Sequence, residues 1–150
     1  MKALNLTPSL HINHLYYYGD ALKNDLLGKQ RAEHILPLRS IKDLELNYSI
    51  HADQPMFESN PFRLIQTAVA RKTRSGNILG KTQHLTVLEA IKSLTIDAAW
   101  QIHMEDKIGS LENEKYADFV VLNKNPFTIQ THKLSTITYL KTVINGNVTN

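Results

Sequence analysis

The stretch His51-Ala-Asp-Gln-Pro-Met56 closes an apolar, β-favouring run from Leu46 to Ile50, and so sets a carboxylate, Asp53, where a strand opens into a loop. Barrels of alternating strands and helices carry their catalytic groups at that end of the strand. Asp shortly before Pro is also ordinary turn chemistry, so the motif leaves both readings open.

Working outward, Pro8 to Tyr18 reads as a loop into a strand, broken by Gly19-Asp20, before a polar helical stretch from about Ala21 to His34. Leu38, Ile41 and Leu44 recur at helical spacing and predict a short helix before the Leu46–Ile50 strand. Asn60-Pro61 starts a helix with proline in its first turn, and Phe62, Ile65 and Val69 give it one apolar face. Thr86-Val-Leu-Glu89 is a capping box, opening a helix that buries Val87, Leu88, Ile91 and Leu94. A second helix is expected from about Ile96 to Met104, with Trp100 as a packing residue. From Ile108 the pattern changes to strands: Tyr116 to Leu122, then Thr138 to Ile144, joined to Val148 by the hairpin pair Asn145-Gly146.

The 150 residues suffice for one globular domain, and 42% hydrophobic with 21% charged residues argues against disorder. With no cysteines, disulfides and thiolate ligands are excluded. No apolar run is long enough to span a membrane and no leader is visible, so a cytoplasmic protein without membrane partners is expected. The net charge of +3 raises the question of nucleic acid. The densest basic cluster, Arg71, Lys72 and Arg74 with Lys81 following, lacks interleaved aromatics to stack on bases. It reads as a solvated helix end, with a phosphate-binding patch as the alternative, and no nucleic-acid partner is expected. Phosphate loops, a Gly-x-Ser-x-Gly elbow and a His-Glu-x-x-His helix are missing from the sequence.

Taken in order, LHINHLYYYGD at 10–20, PLRS at 37–40, the Ala52-Asp53 element, TRSG at 73–76, GSLE at 109–112 and YADFVVLNKNP at 116–126 resemble the C-terminal part of a metal-dependent amidohydrolase of the YtcJ-like subgroup. The resemblance runs from about Leu10 to about Val148. It implies an α/β fold: the C-terminal part of a TIM-type (β/α)8 barrel, about strands 6 to 8 with their helices, over residues 1–107. The C-terminal strands of a flanking β-sandwich would follow over 108–150. One departure is the turn before Tyr116, where the family's Glu-Pro-Gly-Lys is Glu112-Asn-Glu-Lys115.

By family position His14 is a metal ligand on strand 6, and Asp53 is the strand 8 aspartate that binds or faces the metal and carries the proton. Arg39, near the end of strand 7, either holds an anionic or carbonyl group of the substrate or forms a structural salt bridge. His51, two residues before Asp53, shares its strand face and would either support the ligands or act as a weak ligand itself. His11, three residues before His14, points to the opposite face of a regular strand and is not expected at the same ion. His34, His84, His103 and His132 read as surface residues.

The implied chemistry is hydrolysis of a carbon–nitrogen bond, other than a peptide bond, in a small amide-type substrate by water activated on a divalent metal, expected to be zinc. The strands bearing the family's other ligands have no match here, so the chain alone is expected to hold no metal tightly and to be inactive. An N-terminal half encoded upstream would then be its partner. Two alternatives stand beside this: a non-catalytic remnant, and an interaction module that binds a partner chain through its open barrel edge.

Overall fold

A computed structural model describes residues 1–4 and 6–149. Its first sheet is a parallel pair, β1 (Ser9–His11) and β2 (Ser49–His51), with Ser9 opposite Ser49, Leu10 opposite Ile50 and His11 opposite His51. Parallel strands cannot be joined by a tight turn, so the chain crosses over through helices. These are α1 (Asn13–Ala21), a π-helical segment at Leu22–Leu27, α2 (Gly28–Ala32) and α3 (Leu38–Asp43). Side chains alternate across a strand. Leu10, Ile50 and Ala52 therefore enter the core with Leu38, Leu64 and Ile65, while Ser9, His11, Ser49 and His51 take the other face.

The strand expected to run to Tyr18 ends at His11, because the residues beyond it obey a helical period. Ile12, Leu15 and Gly19, spaced by three and four, are all buried on one side of α1. Gly19 is not a strand breaker. A Cβ there would lie 2.7 Å from Cγ2 of Thr73, so the glycine lets α1 press against that loop. Where about three barrel strands were expected, the parallel sheet has two among the described residues. The PLRS stretch opens α3, the short helix expected from the spacing of Leu38 and Ile41, both of which are buried.

After β2 comes α4 (Pro61–Ala70), where the Asn60 side chain accepts the Arg63 N–H at 3.0 Å and Pro61 occupies the first turn. Its buried Leu64, Ile65 and Ala68 lie in the core, where each large side chain contributes on the order of 1.5–3 kcal/mol. Then follow α5 (Val87–Lys92), with the expected capping box between Thr86 and Glu89, and α6 (Ile96–Gln101). Leu88, expected inside, is exposed; Ala90 takes the buried position. Gln101 ties the two strand bases together, accepting from Ser49 Oγ at 2.6 Å and donating to the Pro8 carbonyl at 2.9 Å.

The second sheet is antiparallel, ordered β3 (Phe119–Leu122), β4 (Tyr139–Ile144), β5 (Asn147–Val148). Asn145 and Gly146 both have positive φ, as the two-residue hairpin requires. Glu114, unusually for glutamate, adopts φ 71° in the altered turn before Tyr116. Between β3 and β4, a 3-10 turn at Thr131–Thr136 docks on α4: Gln66 Oε1 accepts the Ser135 N–H at 3.0 Å, and Leu134 and Ile137 join the same core as Leu64.

Arg71 is not part of a solvated helix end. It caps α4 in the left-handed conformation and is 1% exposed. Its guanidinium donates to the carbonyls of Leu79, Leu36 and Ile35 at 3.0, 3.0 and 2.8 Å. Burial lowers its pKa to about 10, partly offset by the Glu33 carboxylate, so it stays charged at neutral pH. The four histidines expected at the surface are exposed. No helix among the described residues is long and apolar enough to cross a membrane.

Candidate active site

The ends of β1 and β2 carry a cluster of imidazoles around one carboxylate. His11 and His51 sit opposite each other in register, and their rings stack at 5.3 Å and 22°. His14, in the first turn of α1, folds back to place its ring 4.1 Å from that of His11. Asp53 lies two residues beyond β2 at φ 60°, a left-handed position that aspartate tolerates and that functional sites often hold. Its Oδ2 is 3.8 Å from His11 Nδ1. Asn13 secures the corner where α1 begins, donating from Nδ2 to the Ala52 carbonyl at 3.4 Å.

His11 is the centre of the cluster. Burial lowers its pKa, as do the neighbouring His14 and His51, and these outweigh the Asp53 carboxylate and the Ala52 carbonyl, which favour the imidazolium. A neutral ring results at neutral pH. Its Nε2 is buried without a hydrogen-bond partner among the described residues. With the proton on Nδ1, toward Asp53, the Nε2 lone pair is bare and suited to a cation or a substrate proton.

An aromatic wall flanks these groups. Phe57 lies 5.1 Å from the His11 ring and stacks on Tyr17 at 4.7 Å and 20°, while Tyr18 stands 5.8 Å from His14. Neither Phe57 nor Tyr17 carries a signal in the sequence, and on one regular strand His11 and His14 would diverge. The change from strand to helix at Ile12 brings them together. The spacing of Ile12, Leu15 and Gly19 fits a helix, but only their burial in the tertiary core decides for it.

Imidazole nitrogen and carboxylate oxygen are the donor types zinc takes, and the orphaned Nε2 of His11 fits such an ion in kind. The arrangement does not fit in number: among the described residues, no three His, Asp or Glu side chains converge on a common point.

Arg39 stands apart from the cluster. Its guanidinium grips Glu89 through two parallel bonds of 3.1 and 2.7 Å and also donates to the His84 carbonyl. Of the two roles open to it, these bonds are those of a structural salt bridge. Burial raises the Glu89 pKa, but hydrogen bonds from Arg39 and Thr86 outweigh it and bring the carboxyl down to about 2.

The amidohydrolase family model matches residues 1–150. Over 119 residues the chain is 31% identical to an N-substituted formamide deformylase of Arthrobacter pascens, covering 78% of this chain and 22% of that protein. Over 127 residues it is 32% identical to the putative amidohydrolase YtcJ of Bacillus subtilis (strain 168), covering 83% of this chain and 24% of the relative. The crystal structure of an amidohydrolase from Thermotoga maritima MSB8 superposes with a TM-score of 0.57 at 19% identity, over 75% of this chain and 25% of the other, which shows a shared fold. The chain spans less than a quarter of the length of these two curated relatives. It belongs to the amidohydrolase family.

Proposed function

We propose that this amidohydrolase chain forms one side of the catalytic rim of a barrel enzyme that hydrolyses a carbon–nitrogen bond, other than a peptide bond, in a small amide-type substrate. The observation that carries the proposal is the approach of Asp53 to His11 at the ends of two adjacent parallel strands. Residues 1–107 are assigned to the barrel and 108–150 to the flanking sandwich. The name of the Arthrobacter relative, a deformylase of N-substituted formamides, supports this reaction class.

In this proposal Asp53 accepts a proton from the attacking water and delivers it to the leaving nitrogen as the carbon–nitrogen bond breaks. His11, neutral and 3.8 Å from Asp53, backs the carboxylate from the neighbouring strand. His14 and Asp53 are ligand candidates for a divalent metal, proposed to be zinc, with His51 supporting His11 from the neighbouring strand. Such a metal would supply Lewis acidity, lowering the pKa of water to about 7 and polarising the carbonyl. The other donors come from elsewhere in the barrel, and these 150 residues by themselves are inactive. Arg39 ties α3 to α5 and does not touch substrate.

The test supplies the rest of a barrel by co-expression and follows release of the amine. Activity that needs both polypeptides and falls with Asp53→Asn supports the proposal; activity indifferent to Asp53→Asn removes it. One observation favours a second reading, an interaction module. Val120, Tyr139, Leu140 and Ile144 of the antiparallel sheet are all at least half exposed, at 51, 61, 61 and 54%.

A further inference from the structure

We propose that a cavity of about 320 Å³ beside the histidine cluster, lined by Arg63 and Arg74 with Tyr16, Tyr17, Asn60 and Glu58, receives an anionic end of the substrate, so that the amide acted on bears a carboxylate. The inference rests on the assignment of Asp53 and its histidines as the catalytic rim.

Tyr17 lines this cavity and stacks on Phe57, whose ring is in turn 5.1 Å from the His11 ring. One aromatic pair therefore separates the cavity from the reacting groups, and a molecule lying across that pair would reach both.

Two guanidiniums face a single carboxylate, Glu58, which leaves the cavity net positive. Arg39 and Arg71 have their guanidiniums committed to protein acceptors. Arg74, by contrast, makes no side-chain hydrogen bond or ion pair among the described residues; only its backbone N–H is engaged, by the Tyr16 carbonyl at 2.7 Å. Arg63 donates from Nη1 to the Tyr16 hydroxyl at 3.1 Å and lies 4.8 Å from the centre of that ring, contacts that aim it without exhausting its donors. The Asn60 cap fixes the turn of α4 from which it projects. Planar forks with unused N–H groups in a concave site match a carboxylate, which can take two parallel bonds from each.

The test uses the full chain and needs no turnover. N-formylglycine and its neutral counterpart N-formylglycinamide are titrated by ligand-observed NMR. The acid should bind at least about tenfold more tightly than the amide, the scale of a charge-assisted hydrogen bond. That preference should vanish in Arg74→Gln, whose exposed and unbonded side chain leaves folding intact, and in Arg63→Gln, and should survive in Asp53→Asn. Equal affinity for the two probes, no binding of either, or a preference retained in Arg74→Gln overturns the inference. Full activity of Asp53→Asn in the completed barrel, with the carboxylate preference intact, would instead remove the catalytic assignment and leave the cavity as an anion site.

Discussion

His11 Nδ1 lies 3.8 Å from Asp53 Oδ2, joining the ends of the two parallel strands. The contact sets the carboxylate beside a largely buried neutral imidazole whose far nitrogen has no hydrogen-bond partner among the described residues. It also has a consequence for metal affinity. His11, His14, His51 and Asp53 are grouped, yet no three donors converge among the described residues. The isolated chain should therefore bind zinc with a dissociation constant above the micromolar range in calorimetric titration. A sub-micromolar site, one ion per chain, lost in both His14→Ala and Asp53→Ala, would contradict this.

The Arg39–Glu89 pair predicts an acid limit to stability. The folded Glu89 carboxyl titrates near 2, below its ordinary value of 4.5. A depressed carboxyl contributes stability that is present above 4.5 and is lost as the pH falls toward 2, on the order of 2–3 kcal/mol in all. The gap in melting temperature between the parent and Glu89→Gln should be full at pH 6 and narrow steadily below pH 4.5. A gap that does not change with pH would show that Glu89 contributes only as a helix cap.

Replacing Arg71 tests a different tie. Its guanidinium satisfies three carbonyls in a closed space, and Gly80 packs so closely that a Cβ there would meet Nη2 at 2.5 Å. Arg71→Ala should cost about 3 kcal/mol or more in denaturant unfolding, because the carbonyls lose their donor and a cavity opens. A loss below about 1 kcal/mol would mean water replaces the side chain at little cost.

Much of the secondary structure was legible because its signals are local. The Thr86–Glu89 capping box, the Asn60-Pro61 helix start and the Asn145-Gly146 hairpin depend on neighbours within a few residues, and each formed as expected. Three tyrosines in a row favoured a strand through Tyr18, and only the tertiary core into which Ile12 and Leu15 fit decides for a helix. Arg71 was misjudged for the same reason. Its sequence neighbours are exposed cations, while the carbonyls it serves come from positions 35, 36 and 79. Asp53 and His14 are singled out by the sequence as candidates, whereas the grouping of His11, Phe57 and Tyr17 around them depends on which side chains the strand ends bring together.

The apolar residues exposed on the antiparallel sheet bear on physical state. Open strands and uncovered apolar side chains mark sites of association. Size-exclusion chromatography with light scattering should find the isolated chain oligomeric or aggregating, and a hydrophobic dye should bind it. A sharp monomer near 17.1 kDa with one cooperative unfolding step would contradict this and favour a self-sufficient interaction module.

The most direct measurement is the turnover number of a completed barrel carrying Asp53→Asn, compared with the unsubstituted barrel of equal metal content. A proton carrier at Asp53 predicts a fall of about a hundredfold or more with little change in KM. Turnover within about twofold of the parent, at equal metal content, would contradict the catalytic assignment, because that change lies far below the scale of general acid–base catalysis.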